Sequence, residues 1–175
     1  MGRQNTGNKK ILVITHQLSR TGAPIVLLDM IRVYHRQGYQ IEVITMLDGE
    51  LREELHKLHI PMKVQERFMD QVDDFLSYAG GFDFVVANTL VTFEAIHLLK
   101  YMKVPVLWWL HEGRQYFEYF ASVLPDFRNL PANIHVFSVG HYVQRVIEEL
   151  YGVHTEILHF GIGDLPALHE KGSES

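Results

Sequence analysis

Cysteine is absent from the 175 residues, which excludes disulfides, thiolate nucleophiles and cysteine-based zinc sites. A reducing cytosol is the simplest compartment for such a chain. No apolar run reaches the ~18–20 residues that a bilayer span requires. The first ten residues are polar and lack the apolar stretch of a secretory signal. A basic excess is missing too: 16 Lys+Arg stand against 21 Asp+Glu, for a formal charge of -5. No field of that sign draws a phosphate backbone, so a nucleic-acid partner is not expected. What is plentiful is apolar surface. At 47% hydrophobic residues the chain can bury a core, and its length suits one domain.

Met1-Gly2-Arg3-Gln4-Asn5-Thr6 formally fits a myristoylation pattern, but the pattern is short and frequent by chance. Residues 1–9 are expected to be a flexible leader and 165–175 a polar tail or the start of a linker. Between them, over 10–164, short β-branched runs alternate with longer amphipathic stretches. Strands are predicted at 11–15, 41–45, 61–64, 82–87, 106–110, 134–138 and 157–160. Helices are predicted at 24–36, 50–58, 66–79, 91–102 and 141–151. Pro24 suits a first helical turn, where its missing N–H costs nothing, and Gly38 suits the position just past a helix end. The alternation predicts an α/β fold, a Rossmann-like three-layer α/β/α sandwich with a mostly parallel sheet of about six to seven strands.

In open sheets of this kind ligands bind beyond the carboxyl ends of the strands. That directs attention to His16 and the 19–24 loop, to Asn88 and Thr89, to His111 and Glu112, and to Ser138. Gly22 would let a ligand approach the backbone, and the helix behind it offers free N–H groups to a phosphate or sugar hydroxyl. The same loop is also compatible with a tight turn that binds nothing, and it matches neither G-x-G-x-x-G nor a Walker loop. His111 ends the run Val106-Leu107-Trp108-Trp109-Leu110, where an imidazole of near-neutral pKa would enter the crevice. Tyr116, Phe117, Tyr119, Phe120 and Phe127 follow it. They read either as core packing under a loop or as an apolar wall for an acceptor, with Tyr116, Phe117 and Phe120 as its candidates. Asp48 occupies the place of a ribose-binding acid, without the glycine fingerprint that would support one. Among the 11 histidines, His56 and His59 lie three apart with no third ligand nearby, so no metal site is expected.

The order of these pieces resembles a known family. Ile11-Leu12-Val13-Ile14-Thr15-His16 with Thr21-Gly22-Ala23-Pro24, then Gly38 to Thr45, Asp83 to Thr89, Val104 to Glu112 and Val136 to Val139 look like the N-terminal half of a GT-B glycosyltransferase of family 4. Gly161-Ile162-Gly163-Asp164 is similar to that family's crossing into a second domain. The resemblance implies an acceptor-binding domain whose partner domain grips a nucleotide-sugar donor. It implies retaining, metal-free transfer of a hexose-type sugar to a glycan or lipid-linked acceptor, as in cell-envelope polysaccharide synthesis. His111 would then line the site at the transferred sugar, and Gly22 with Ala23 would lie near the donor phosphates. Asn88, Thr89, Glu112 and Ser138 would shape the rest.

Two departures accompany the resemblance. Paired glycines are common in the family's first loop, whereas Ala23 and Pro24 follow Gly22 here. Nothing after Asp164 is expected to hold a nucleotide, so the chain alone is expected to be inactive and to bind no cofactor. A cytoplasmic location is expected, possible at the inner face of a membrane, although the acidic stretch Glu50-Leu51-Arg52-Glu53-Glu54 suits anionic lipid poorly. Two other readings stand beside this one: a stand-alone Rossmann-like binding or regulatory module, and, third, a nicotinamide-dependent dehydrogenase.

Overall fold

The structure, a computed structural model, describes residues 9–159. Residues 1–8 of the leader, Phe160, the Gly161–Asp164 crossing and the 165–175 tail lie outside the described residues. Seven strands form one sheet: β1 (Lys10–Gln17), β2 (Gln40–Leu47), β3 (Met62–Val64), β4 (Phe84–Asn88), β5 (Val106–Leu110), β6 (Ile134–Ser138) and β7 (Glu156–Ile157). Every pairing is parallel, in the order β3-β2-β1-β4-β5-β6-β7. The chain builds outward from β1 to β3, then returns to add β4 on the other side. The direction of winding therefore reverses between β1 and β4, which is where such sheets bind ligands.

Among the described residues six helices cover the two faces: α1 (Gly22–Arg36), α2 (Arg52–Lys57), α3 (Val72–Ala79), α4 (Phe93–Leu99), α5 (Arg114–Phe120) and α6 (His141–Tyr151). Leu27, Leu28 and Ile31 of α1 and Leu55 of α2 pack with Ile11, Val13, Val43, Val86 and Trp109. The opposite face buries Leu12, Ile14, Val85, Ala87, Trp108 and Leu110 under α3 to α6. Central strands enclosed on both faces must be apolar throughout, which explains the uninterrupted run Ile11-Leu12-Val13-Ile14, none of it more than 1% exposed.

Several boundaries differ from the sequence reading, each for a local reason. Residues 66–68 are not helical: Phe68 turns fully into the core, and its N–H bonds Glu94 Oε2 at 3.1 Å before a 3-10 turn leads into α3. Phe82 and Asp83 stay outside β4, because Asp83 ties down the first residue of β1 by donating its N–H to Lys10 O and accepting the Lys10 N–H. The helix predicted over 91–102 is shorter, preceded by a 3-10 turn at Leu90–Thr92 and ended by turns after Leu99. The last strand is short, pairing Phe137 with Glu156 and Ser138 with Ile157. Helix α5, which the aromatic stretch concealed, buries Phe117 and presents Tyr116 and Tyr119 to solvent. Gly38 does follow α1 with φ +90°, and Pro24 lies in that helix's first turn.

Candidate functional site

Four strand ends meet at the carboxyl edge. Thr15 of β1 is register partner to both Thr45 and Asn88, and Asn88 is partner to Trp109. All four side chains have 0% exposure, so a polar row runs beneath the edge on the α1 face. Thr45 Oγ1 donates to Leu47 O at 2.6 Å, and Asn88 Nδ2 reaches Thr15 Oγ1 at 3.4 Å. Asn88 Oδ1 is buried without a partner, as are Thr89 Oγ1 and His111 Nε2. Buried polar atoms normally find partners, so three orphans at the ends of two adjacent strands mark a place suited to a hydrogen-bonding ligand.

His111 lies one residue past β5 with its ring 4.7 Å, centroid to centroid, from that of Trp109. Burial there disfavours the charged imidazole and pushes its pKa down to about 4. His16, at the end of β1, is shifted the same way by burial. Both rings are therefore neutral at pH 7, available for hydrogen bonding without a positive charge. Glu112 moves oppositely: burial raises its carboxyl pKa, against the lowering effect of backbone N–H groups from His111, Leu90 and Glu112 itself.

The 19–24 loop meets the same edge. Thr21 precedes α1 without capping it, its hydroxyl bonding Ser19 Oγ at 2.8 Å instead. Pro24 has no N–H, and the Ile25 N–H is taken by Thr21 O at 3.1 Å. Among the described residues the amides of Gly22 and Ala23 have no partner, at a helix end whose first turn carries no acid. No atom lies within 4 Å of where a Gly22 Cβ would stand. The loop is held from below, since Leu18 O accepts the Leu51 N–H at 2.9 Å.

Other candidates are engaged elsewhere. Ser138 is fully buried with its hydroxyl 2.6 Å from Thr155 Oγ1. Asp48 accepts the Gly49 N–H and pairs with Arg52 at 2.9 Å, so its carboxylate serves its own turn. Phe117 lies wholly in the core beside Phe127 and Tyr151, whereas Tyr116 is 47% exposed and Phe120 packs half-buried against Phe93. The aromatic segment thus divides between packing and surface. Among the described residues no three His, Asp or Glu side chains cluster as a metal site would require, and no helix is long and apolar enough to cross a membrane.

Two features of the site had no sequence signal. Trp109, inside an apolar run, supplies the platform for the His111 ring. Thr89 adopts φ +79° and ψ 156°, a conformation foreign to β-branched residues, without any glycine to announce it.

No curated protein matches the chain significantly in sequence. Among solved structures it resembles HepE of Anabaena, crystallised with UDP-glucose: 18% identity, TM-score 0.68, covering 87% of this chain and 44% of that one. MurG of Acinetobacter baumannii aligns at 11% identity and TM-score 0.57, covering 86% and 45%. An alpha-glucosyltransferase crystallised with UDP and a DNA 13-mer aligns at 14% and 0.57, covering 86% and 42%. At such identities the likeness is one of fold, and the chain spans less than half the length of these neighbours. The family model of glycosyl-transferase family 4 matches residues 7–163, almost the whole chain, and the chain belongs to that family.

Proposed function

We propose that the chain is the acceptor-side domain of a nucleotide-sugar-dependent hexosyltransferase whose donor is gripped by a second domain. The observation that carries this reading is the set of unpartnered polar atoms at the ends of β4 and β5: Asn88 Oδ1, Thr89 Oγ1 and His111 Nε2. Sugar hydroxyls, which both donate and accept, would satisfy such a set. HepE, bound to UDP-glucose, shares the fold and supports a nucleotide-sugar as the donor class.

In this reading neutral His111 orients the transferred sugar through its free ring nitrogen. The Gly22 and Ala23 amides meet the phosphate side, and His16 lies beside them. Tyr116 and Phe120 border the acceptor. Transfer is retaining and needs no metal: the bond from the anomeric carbon to the donor phosphate breaks, a bond to the acceptor oxygen forms on the same face, and the acceptor's proton goes to the departing phosphate. The acceptor is a glycan or a lipid-linked sugar, as in cell-envelope polysaccharide assembly in the cytoplasm or at the membrane's inner face. One domain offers one wall of the cleft, so it neither excludes water nor surrounds the leaving phosphate with preorganised charge.

Incubation of the 175-residue chain with UDP- and GDP-sugars plus acceptor, following nucleotide release, tests the division of labour. No turnover is expected. Release at an ordinary enzymatic rate, on the order of 1–10³ per second, would overturn it. In a two-domain protein carrying this sequence, His111→Ala should lower kcat/KM at least tenfold, and an unchanged value would remove the role given to His111.

A further inference from the structure

The turn between β4 and α4 holds Thr89 in a backbone conformation that costs a β-branched residue free energy, and such strain persists only where surrounding contacts over-determine it. Those contacts come almost entirely from β5 and the residues after it. Thr89 donates its N–H to Trp109 O at 2.8 Å. Its carbonyl accepts from Trp108 Nε1 at 3.0 Å and from Thr92 Oγ1 at 2.8 Å. Immediately after the strained residue, the Leu90 N–H donates to Glu112 Oε1 at 2.9 Å. The second oxygen of the same carboxylate, Oε2, accepts the His111 N–H, also at 2.9 Å. Among the described residues no cation pairs with Glu112: its oxygens serve backbone amides, those of Leu90 and His111 and, more weakly, its own.

We propose that Glu112 is a positioning residue: its carboxylate bridges the Leu90 and His111 amides, locks the strained turn at Thr89 and fixes the backbone from which the His111 ring rests on Trp109. Two acceptor oxygens facing two N–H groups are what this geometry demands, and only a carboxylate on a side chain of this length provides them. A glutamine offers one acceptor and an NH2 group that opposes the other amide. Glu112 therefore acts through His111 and Thr89 rather than on the sugar. The link to transfer rests on the function proposed above, whereas the bridge itself does not.

The test uses the 15N-labelled chain without ligand. Glu112→Gln should accelerate hydrogen exchange at Leu90 or His111 on the order of ten- to a hundredfold, as expected for loss of a hydrogen bond to a charged group. It should also move the His111 ring protons, whose shifts report the Trp109 ring current. Ile147→Val, a core truncation in α6 at a fully buried site, should leave both signals in place and so separates positioning from general destabilisation. Unchanged exchange at both amides in Glu112→Gln would overturn the proposal. So would unmoved His111 signals combined with lost sugar-induced shifts, which would make Glu112 a ligand. Should Glu112→Gln fail to fold, wild type carrying 13C at the Glu112 carboxyl answers the question. Through-hydrogen-bond couplings from the Leu90 and His111 nitrogens to that carbon are expected, and absence of both overturns the bridge. Failure of the glycosyltransferase reading would appear separately, in the nucleotide-release assay.

Discussion

His111 makes a quantitative prediction about acid. Burial lowers its pKa from 6.5 to about 4, so the folded protein holds the ring neutral at pH values where the unfolded chain protonates it. Between those limits the unfolded state binds more protons, and stability falls as pH is lowered from 6.5 towards 4. Below about 4 the folded protein takes up the proton too and the loss levels off. A displacement of about 2.5 pH units, at 1.36 kcal/mol per unit, corresponds to ~3 kcal/mol. The perturbation is His111→Gln, which removes the titrating ring. Urea unfolding of both proteins at half-unit steps from pH 7 to pH 4 gives the difference, in which carboxylates common to both cancel. Wild type should lose ~3 kcal/mol more than the variant over that range, and the His111 Cε1 proton should titrate near pH 4. Parallel stability curves, or a midpoint above 6, would refute the burial argument and with it the neutral imidazole of the proposed mechanism.

Gly49 has a sharper steric test: a Cβ there would stand 2.5 Å from the Leu18 carbonyl carbon and 2.8 Å from Ser19 N. Gly49→Ala should cost roughly 1–3 kcal/mol in denaturant unfolding, and an unchanged midpoint would show that the loop after β1 yields freely. Thr89→Gly removes backbone strain together with a buried unpaired hydroxyl, so stability should stay level or rise by about 1 kcal/mol. Thr92→Val, which loses the bond to Thr89 O, should cost about 1 kcal/mol by the same measurement. Ser138→Ala should lower Tm through an unpaired Thr155 hydroxyl, costing ~1–2 kcal/mol. A sugar titration followed by NMR should be the same for that variant as for wild type.

The parts legible in the sequence were those governed by local rules. Apolar runs marked the central strands β1, β4 and β5, because strands buried on both faces allow little else at their centres, whereas the exposed edge strands β3 and β7 carry Lys63 and Glu156 and gave only a weak signal. Pro24 and Gly38 marked the two ends of α1 through their own backbone limits. His111 stood out because it directly follows an apolar strand, at the carboxyl edge where such sheets bind ligands. What escaped depended on partners distant in the chain. Ser138 sits at a strand end like a site residue, yet Thr155, 17 residues on, takes its hydroxyl. Glu112 also lies just past a strand end, and its bond to the Leu90 amide, 22 residues earlier, left no mark in the sequence. Helix α5 escaped for a different reason. Its aromatics lie on both its buried and its exposed faces, so no apolar period appears.

Pro24 also limits how many hydrogen bonds the start of α1 can offer. With one N–H absent and that of Ile25 already given to Thr21, an oxyanion arriving there meets two prongs, Gly22 and Ala23, with Arg20 two positions before them. A lone phosphoryl group has three terminal oxygens and a diphosphate more, so most of their lone pairs and charge go unanswered on this side. Such a helix end registers the position of an anion without being able to retain it. Under the function proposed above, retention of a charged donor would fall to the second domain, so that its approach, rather than first contact with α1, would be the capturing step.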